Sequence, residues 1–513
     1  MPDHFWRLCV KKFFFVAALF ALLSVCFCGC SKNNDISYDM YVAPYNHSIA
    51  IPCKAEPEEE NAVYQWYESK DGKTSSGVAV QGATDPIFTT PLYTEKGIRY
   101  YYCTATTASE TSVSEIATVA YTALPTVYIN TPDSVEITSK EDWIKGSAIS
   151  IVGANEESWN FNNVETSIKG RGNSTWERPK KPYSLKLKEA QKIMGMPKHK
   201  RWVLLANYAD NSFMRNVLAF YLSELFEFDW TPHGEFVDLV INGRYNGLYW
   251  LGEAVKVDKN RVDIDDGDED MEDSSDKDYL LEMDIYFDET VKFKSAIRDL
   301  PYMIKNDDYM IDAGGEISSG GQARLERLQA KINTLEKLLY PDFTEGMNTD
   351  RCSAPNEAYA SILDIDSWAK FWFINEIMDN KDFGQPKSVL TTFESRKSLF
   401  KAGPVWDFDW TFYTSTECQL KDKIYYNALF KSPAFTARTK ELWNKYAALI
   451  DIETTIEPVR SRISTAAEYN IMLWGIYKND TGIHQDTFDE EVDLLKRLVS
   501  TKIKVMNNEI SNF

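Results

Sequence analysis

The 513-residue chain is poor in histidine, with five in total, and none of them has the spacing of a zinc-binding pair. It contains no Gly-x-Ser-x-Gly elbow and no Cys–His pair that would indicate nucleophilic hydrolysis. It also has no internal repeat and, beyond its N-terminus, no hydrophobic run long enough to cross a membrane. These absences argue against a zinc site and against a hydrolase with a serine or cysteine nucleophile.

The chain has fewer basic than acidic residues: 56 Lys and Arg against 77 Asp and Glu, which gives a formal net charge of −21. Such a balance argues against non-specific nucleic-acid binding and against adhesion to anionic lipid. Hydrophobic residues make up 44% of the chain and aromatic residues 13%, which is enough to build packed cores. The length exceeds one ordinary core and predicts two or three domains.

The N-terminus has the pattern of a targeting segment. Three basic residues precede an apolar run over residues 13–27, which is short for a membrane span. The run ends in the sequence FCGCS, which resembles a bacterial lipoprotein box with Cys30 as the lipidated first residue of the mature chain. An ordinary cleaved signal or a short N-terminal anchor are the alternatives. Residues 1–29 are therefore predicted to be a signal peptide, and the protein is predicted to be held on a bacterial membrane in the cell envelope, with the outer membrane or cell surface favoured.

Residues 30–122 show short alternating strands separated by turn residues. Cys53, Trp66, Tyr101 and Cys103 follow one another in an order that resembles an immunoglobulin-like β-sandwich. The resemblance implies a Cys53–Cys103 disulfide, which export would permit. An unrelated β-domain with a chance cysteine pair is the alternative. Nothing in this module indicates catalysis.

Residues 123–513 are predicted to form the second unit, which begins with strands and contains a glycine-rich turn. The sequence SIKGRGNSTW over residues 167–176 can offer backbone N–H groups and hydroxyls to an anion, although most such turns bind nothing. In the strand that follows, Lys186 has the phase of Ser184 and not that of the neighbouring leucines. A strand lysine facing a glycine-rich turn is what a phosphate clamp requires; a solvent-facing lysine is the alternative.

Carboxylates concentrate between residues 377 and 412. A loop with Asp379, Asn380 and Asp382 precedes two β-rich runs, and the second run leads into the sequence WDFDW over residues 406–410. Two carboxylate loops joined by a hairpin can present one acid to a hydroxyl and another to a metal ion, which is the division of labour that phosphoryl transfer needs. Asp-rich turns that only cap strands and helices are the alternative.

Other local signals concern the scaffold. The sequence DNS at 210–212 predicts the start of a helix over 213–226, and an Asn-Gly turn at 242–243 predicts a hairpin. Helical patterns are found at 320–339, at 365–378 and over most of the chain after residue 412. The acidic run at 263–278 lacks the spacing of a calcium loop and is predicted to be a solvated loop.

From about residue 125 to the C-terminus the chain resembles the spore-coat protein H (CotH) kinase family. The resemblance rests on stretches that occur in the right order: KGRGNSTW with KKPYSLKL, MPKHKRWVLLANYADNSFMRN, INGRYNGLYWLGEAVKVDKNRVDI, MDNKD and GPVWDFDWTF. It implies an α+β atypical protein-kinase fold that follows the sandwich, with a small β-rich lobe, a helical lobe, and ATP with Mg²⁺ or Mn²⁺ between them.

The resemblance also implies roles for particular residues. Asp382 would be the catalytic acid that orients the substrate hydroxyl, and Asp407, with Asp409 as a second candidate, would bind the metal. The residues implied in ATP binding are Lys186 on the phosphates, Glu224 as its helix partner, Arg171 and Ser174 over the phosphates, and the hinge Trp250–Ala254 with Glu253 against the adenine.

One position departs from the family pattern. Family members often carry an asparagine a few residues after the catalytic aspartate, suited to a second metal ion, whereas this chain has Gln385, Lys387 and Ser388 there. Lys387 could replace a metal charge, Gln385 could coordinate, or the site could be weak.

Three functional hypotheses follow. The first is an ATP- and Mg²⁺-dependent kinase that phosphorylates Ser or Thr of an envelope or extracellular protein. The second is a non-catalytic adhesion or scaffolding lipoprotein with a degenerate kinase-like domain. The third is nucleotidyl or other phosphate chemistry on the same scaffold. The phosphate acceptor, the ligand of the sandwich and the pairing of Cys352 and Cys418 stay open.

Overall fold

The computed structural model describes residues 39–55, 61–266, 277–411, 415–478 and 483–513. The predicted signal peptide, its Cys30 and most of the acidic run lie outside these ranges. The described residues pack into two compact units, of which the first holds 39–40, 51–88 and 100–118, and the second holds 41–50, 89–99 and 119–513. In the described part of the chain, none of the helices has the length and apolar character that a membrane span requires.

The strands and helices are as follows. The strands up to residue 191 are β1 (Asp39–Pro44), β2 (Ala50–Pro52), β3 (Val63–Ser69), β4 (Val78–Ala79), β5 (Ile87–Thr89), β6 (Gly97–Thr106), β7 (Thr111–Val113), β8 (Ala117–Thr122), β9 (Thr126–Asn130), β10 (Ile144–Val152), β11 (Phe161–Gly170) and β12 (Tyr183–Gln191). They are followed by β13 (His199–Leu205), β14 (Gly234–Ile241), β15 (Arg244–Glu253), β16 (Tyr279–Met283), β17 (Lys292–Lys294), β18 (Pro301–Ile304), β19 (Val389–Glu394) and β20 (Leu399–Ala402). The helices are α1 (Arg215–Leu225), α2 (Ser319–Leu339), α3 (Ile365–Ile377), α4 (Tyr426–Leu429), α5 (Pro433–Tyr446), α6 (Ile452–Trp474) and α7 (Phe488–Ser511).

The first unit is built on antiparallel pairs, in which β6 lies between β3 and β7 and β3 also pairs with β4. Trp66 is buried and stacks on Phe88 with ring centroids 5.5 Å apart. The predicted disulfide is not formed in the structure, where Cys53 and Cys103 are both free thiols. The two thiols are nevertheless neighbours joined by a hydrogen bond, and burial raises the pKa of Cys103.

The N-terminal part of the second unit is a closed barrel with the strand order β10-β11-β12-β13-β15-β14-β9. Its neighbours are antiparallel except for β9 and β14, which run parallel and close the barrel. Strand β12 alternates as predicted, because Tyr183, Leu185 and Leu187 are buried whereas Lys186 is exposed. The barrel interior is therefore filled by one face of each strand, and the opposite face is free to border a cleft.

The hairpin of β14 and β15 has the predicted Asn-Gly turn. Asn242 has a φ of 49° and Gly243 a φ of 75°, so both central residues are left-handed. That conformation matches the twist of the flanking strands, which is why Asn-Gly is favoured there. Between β9 and β10 the chain makes a tight helical turn at Pro132–Ser134, and residues 135–138 belong to no strand.

The rest of the second unit combines a five-stranded sheet, in the order β17-β18-β16-β19-β20, with the helices. The helices predicted at 320–339 and 365–378 correspond to α2 and α3, and the C-terminal helical patterns correspond to α5, α6 and α7. Helix α3 packs against α5 and α7, and Trp368 and Trp372 on α3 are fully buried. This packing fixes the end of α3, where the predicted catalytic loop begins.

Candidate functional site

A cleft of about 540 Å³ in the second unit is bordered by the outer face of the barrel and by the five-stranded sheet. It brings together the glycine-rich turn after β11, the outer side of β13, the segment after β15 and both carboxylate loops. Its charged lining residues are Lys140, Glu141, Lys169, Arg171, Arg201, Lys256, Glu282, Asp284, Asp288, Glu289, Lys305, Asp382, Lys387 and Asp407.

The glycine-rich turn begins where β11 ends at Gly170. Gly172 has a φ of +80°, and a Cβ atom at this position would lie 2.1 Å from the Thr175 hydroxyl oxygen, so the turn requires glycine. The turn is also held by Lys140, whose Nζ donates to Asn173 Oδ1 at 2.6 Å. It places the predicted phosphate-binding residues Arg171 and Ser174 on the cleft.

Arg171 lies between the turn and the second carboxylate loop. Its guanidinium carbon is 5.3 Å from the centre of the Trp406 ring. Burial lowers the pKa of Arg171, while the negative charges of Asp407, Asp409 and Glu282 oppose that shift. A half-buried cation that lies in a cleft near several carboxylates marks a candidate functional site.

The first carboxylate loop follows the end of α3. The Asn380 side chain accepts the backbone N–H of Asp382 at 3.2 Å, which fixes the start of the turn. Lys387 Nζ is 3.1 Å from Asp382 Oδ1. Burial raises the pKa of Asp382, even though the nearby Lys387 ammonium opposes the shift. Asp382 is therefore a partly buried carboxylate that faces the cleft.

The second carboxylate loop is held by the N-terminal part of α1. Asp407 has a left-handed φ of 67°, and the Ser388 hydroxyl donates to Asp407 Oδ2 at 3.0 Å. The backbone N–H of Phe408 donates to Asn216 Oδ1 at 2.8 Å. The adjacent Asp210 accepts the backbone N–H of Arg215, the first residue of α1, at 2.9 Å. Helix α1 therefore starts two residues later than predicted, with Met214 and not the 210–212 motif as its N-cap; Asp210 holds its first residue, and Asn216 supports the loop that carries Asp407.

Asp409 lies behind Asp407. The pKa of Asp409 is well above its ordinary value because the carboxyl is removed from water and because Asp407, Asp210 and Asp382 are close by. The two carboxylate loops converge, because Asp382 of the first and Asp407 of the second line the same cleft. Only Asp407 and Asp382 of this group line the cleft itself.

Three further cations on the cleft have no counterpart in the sequence prediction. Lys305 Nζ lies 2.9 Å from Glu282 Oε2 and also pairs with Glu289. The guanidinium carbon of Arg201 lies 5.1 Å from the centre of the Trp143 ring. The pKa of Lys256 is lowered mainly by burial and further by the nearby positive charges of Lys305 and Arg201. No spacing in the sequence distinguishes these residues from other surface cations, and only the strand pairing brings them together.

Lys186 does not join this group. It pairs across the barrel wall with Ser167 and Arg201, and in the described chain the cleft is lined by Ser184 and Arg201 but not by Lys186. Lys186 points outward, as its phase predicts, but it lies two residues, or about 7 Å, further along the strand than Ser184. The structure therefore does not bring Lys186 together with Asp382 and Asp407.

Glu224 and Glu253 are also placed away from the cleft, and both contact the same histidine. His233 Nε2 is 3.1 Å from Glu224 Oε1, and His233 Nδ1 is 3.2 Å from Glu253 Oε2. Glu253 is fully buried and also lies 3.6 Å from Arg261 Nε. The contacts made by Glu253 tie the end of β15 to its neighbours, whereas the adjoining residues 254–256 do line the cleft.

We expect the His233 contacts to make stability depend on pH. Hydrogen bonds to Glu224, and then to Glu253, raise the pKa of His233 from 6.5 to about 9. The resulting stabilisation is fully present below pH 6.5 and is lost as the pH rises through about 9. The melting temperature of His233→Gln should therefore fall below that of the wild type at low pH and match it above pH 9. His47→Gln is the control, and a pH-independent difference for His233→Gln would contradict the expectation.

Of the three residues that replace the family asparagine, two belong to the cleft. Lys387 and Ser388 line it and contact Asp382 and Asp407 respectively. Gln385 lies on the other side of the loop and lines a neighbouring cleft instead. The Lys387 ammonium therefore stands beside the predicted catalytic carboxylate.

The carboxylates of the cleft are the residues that could bind a divalent cation. Among the described residues, no three His, Cys, Asp or Glu side chains are grouped so that they could hold a metal ion by themselves. Mg²⁺, however, is usually held by one or two carboxylates together with substrate phosphates. The carboxylates of Asp407, on the cleft, and of the nearby Asp409 are hard oxygen donors of that kind. These residues fit a nucleotide-bound Mg²⁺.

The domain combines a closed barrel, a five-stranded sheet and helices, and it has a charge-lined cleft between a glycine-rich turn and two carboxylate loops. The model of the CotH kinase protein family matches residues 168–506, about two thirds of the chain. The chain therefore belongs to the CotH kinase family. No curated protein matches it.

Proposed function

We propose that the protein is an atypical kinase that uses ATP and Mg²⁺ to phosphorylate a Ser or Thr hydroxyl of an envelope or extracellular protein. The observation that carries the proposal is that the loops of Asp382 and Asp407 meet in one cleft opposite Arg171. Phosphoryl transfer relies on positioning and on charge neutralisation more than on covalent chemistry. The family match supports the same class of activity.

In this proposal the glycine-rich turn and Arg171 hold the phosphates. Backbone N–H groups of such a turn form a concave anion site, and the Arg171 guanidinium can make paired hydrogen bonds to phosphate oxygens. Because Lys186 lies outside the cleft, we assign its predicted role on the phosphates to three of the cations that line it: Arg201, Lys256 and Lys305.

Asp382 would accept a hydrogen bond from the acceptor hydroxyl and orient its oxygen towards the γ-phosphorus. The new O–P bond forms as the bond between the γ-phosphorus and ADP breaks, and the hydroxyl proton passes to Asp382. The raised pKa of Asp382 suits this step, because a more basic carboxylate is a better proton acceptor. Bound through Asp407 and Asp409, Mg²⁺ would supply charge neutralisation on the phosphates.

We further propose that the barrel and the helical part correspond to the two lobes of a kinase-like fold and that the first unit is an immunoglobulin-like module. In this proposal the chain is exported as a lipoprotein anchored through Cys30. The neighbouring thiols of Cys53 and Cys103 could then be oxidised to a disulfide, since export leads to an oxidising compartment.

The full chain incubated with γ-labelled ATP, Mg²⁺ and a degenerate Ser/Thr peptide mixture tests the proposal. Labelled peptide is expected with the wild type and is expected to disappear with Asp407→Asn. ATP affinity should fall for Arg171→Gln, because the buried cation facing the phosphates is lost. Absence of both label transfer and ATP binding at millimolar nucleotide would contradict the kinase proposal.

A second function is favoured by one contact. The Lys387 ammonium lies 3.1 Å from Asp382 and could hold this carboxylate away from a substrate, as expected for a degenerate kinase-like domain in an adhesion or scaffolding lipoprotein. Lys387→Ala separates the two proposals. A gain in label transfer would show that the contact inhibits, whereas a loss would show that the ammonium supports the reaction.

A further inference from the structure

A second cleft, of about 410 Å³, lies directly beside the cleft that holds Asp382. The two clefts share a rim, which we define as the loops 284–288 and 384–388. Asp284, Tyr286, Lys387 and Ser388 face the first cleft, while alternate residues of the same loops, including Ile285 and Gln385, face the second. A chain that places a hydroxyl at Asp382 can therefore continue into the second cleft within a few residues.

The rim is held in a fixed geometry. The backbone N–H of Ile285 donates to the Pro386 carbonyl oxygen at 2.9 Å, and the backbone N–H of Ser388 donates to Asp284 Oδ2 at 3.0 Å. Asp284 also accepts the N–H of Tyr286 at 2.8 Å. Because these bonds tie the two loops together, the second cleft keeps a constant position relative to the catalytic loop.

The second cleft has an apolar surface at the rim. Ile285 is 47% exposed and Tyr286 is 44% exposed, which makes them two consecutive large hydrophobic residues in solvent. Leu300 and Ile424 form the buried part of the same cleft. Exposed apolar side chains at the mouth of a cleft are typical of a surface that another chain covers.

The charged residues of the second cleft are mostly cationic. Lys294, Arg298 and Lys423 line it together with a single acid, Asp299, although the chain as a whole has a net charge of −21. Lys294 pairs with Asp299 at 2.7 Å, but both side chains are more than half exposed, and exposed pairs are weak. Lys423 Nζ likewise lies 2.9 Å from Asp422, a pair that is also partly exposed, and Arg298 Nη1 donates to the Thr349 hydroxyl. The cleft is thus lined by three cations and one acid, a balance that favours an incoming carboxylate.

We propose that the second cleft binds the segment of the substrate protein next to its acceptor hydroxyl, and that it selects an acidic residue adjoining an apolar one. The inference deepens the proposed kinase function and rests on it. The apolar side chain covers Ile285 and Leu300, and the carboxylate lies among Lys294, Arg298 and Lys423. The charge balance of this cleft, opposite to that of the whole chain, favours an acidic segment over a basic one.

Peptide binding tests the inference without catalysis. Fluorescein-labelled peptides with a central Ser, flanked by Glu-Leu or by Lys-Leu, are titrated into the full-length Asp382→Asn variant and followed by fluorescence polarisation. The Glu-Leu peptide is expected to bind about tenfold more tightly than the Lys-Leu peptide, which corresponds to about 1.4 kcal/mol. The double variant Lys294→Glu/Lys423→Glu should remove or invert this preference.

Lys188→Glu provides the matched control, because Lys188 is also an exposed lysine in an ion pair, but on the outer face of the barrel. The inference would be overturned if the two peptides bound with equal affinity or if the Lys-Leu peptide bound more tightly. It would also be overturned if Lys188→Glu lost the preference for the Glu-Leu peptide. The experiment measures peptide binding and does not depend on catalysis. A protein that prefers the Glu-Leu peptide but transfers no phosphate would therefore contradict the kinase proposal and leave the peptide-binding inference standing.

Discussion

Asp382→Asn is expected to lower the rate of phosphoryl transfer by about 10²–10⁴-fold, the usual contribution of a positioned proton acceptor. The amide keeps the shape of the side chain and can still accept a hydrogen bond, but it cannot take up the proton of the acceptor hydroxyl. The measurement is the initial rate of ³²P transfer from γ-labelled ATP to the peptide mixture, together with the ATP dissociation constant.

Comparing the change in transfer rate with the change in the ATP dissociation constant identifies the role of Asp382. In the proposed mechanism the Asp382 carboxylate contacts the acceptor hydroxyl and does not hold ATP, so ATP affinity should change little while the transfer rate falls. Asp85→Asn, an exposed position in the first unit, should leave both values unchanged. A variant at Asp382 that transfers phosphate at the wild-type rate would remove this residue from the mechanism.

The convergence of the two carboxylate loops could be predicted from the sequence because it is a local property. Asp382 and Asp407 flank the short hairpin of β19 and β20, so a hairpin alone brings both ends near each other. The glycine-rich turn could be predicted for a similar reason, since Gly172 and its neighbours define the turn by themselves.

The identity of the cations on the cleft could not be predicted in this way. The alternation of β12 shows which face Lys186 lies on, but not how far along the strand the cleft extends. Arg201 lies directly opposite Lys186 in the neighbouring strand, and Lys305 follows β18 in a different sheet. Their meeting depends on barrel closure and on long-range strand order, for which a single sequence carries no periodic signal.

The misplacement of Glu224 and Glu253 has a related cause. Their predicted roles in ATP binding came from the family resemblance, which assigns a role to a residue without showing its tertiary contacts. In the structure both carboxylates contact His233, whose side chain is more than half exposed. The tertiary fold therefore decided which partner each carboxylate has.

Lys502→Met is expected to lower the free energy of unfolding by about 3–5 kcal/mol, the usual cost of removing one partner from a buried ion pair. Lys502 on α7 is 2% exposed, and its Nζ lies 3.3 Å from both Glu376 Oε2 and Asp379 Oδ1. It also donates to the Glu417 carbonyl oxygen at 2.7 Å. Without the ammonium, the Glu376 carboxylate would lose its cation, and the buried Asp379 would keep only Lys381, whose Nζ is 3.4 Å away.

Urea unfolding measures this loss, and two further variants interpret it. Lys504→Met is the control, because Lys504 is exposed on the same helix and should change stability by no more than about 0.5 kcal/mol. The double variant Lys502→Met/Glu376→Gln should recover part of the loss, since it removes one of the stranded charges. A Lys502→Met chain as stable as the Lys504→Met control would show that α7 does not hold the loop through this amine. Asp379 lies three residues before Asp382, and both belong to the same loop. If Lys502→Met loses stability as expected, its rate of phosphoryl transfer should therefore also fall, even under conditions where the chain is still folded.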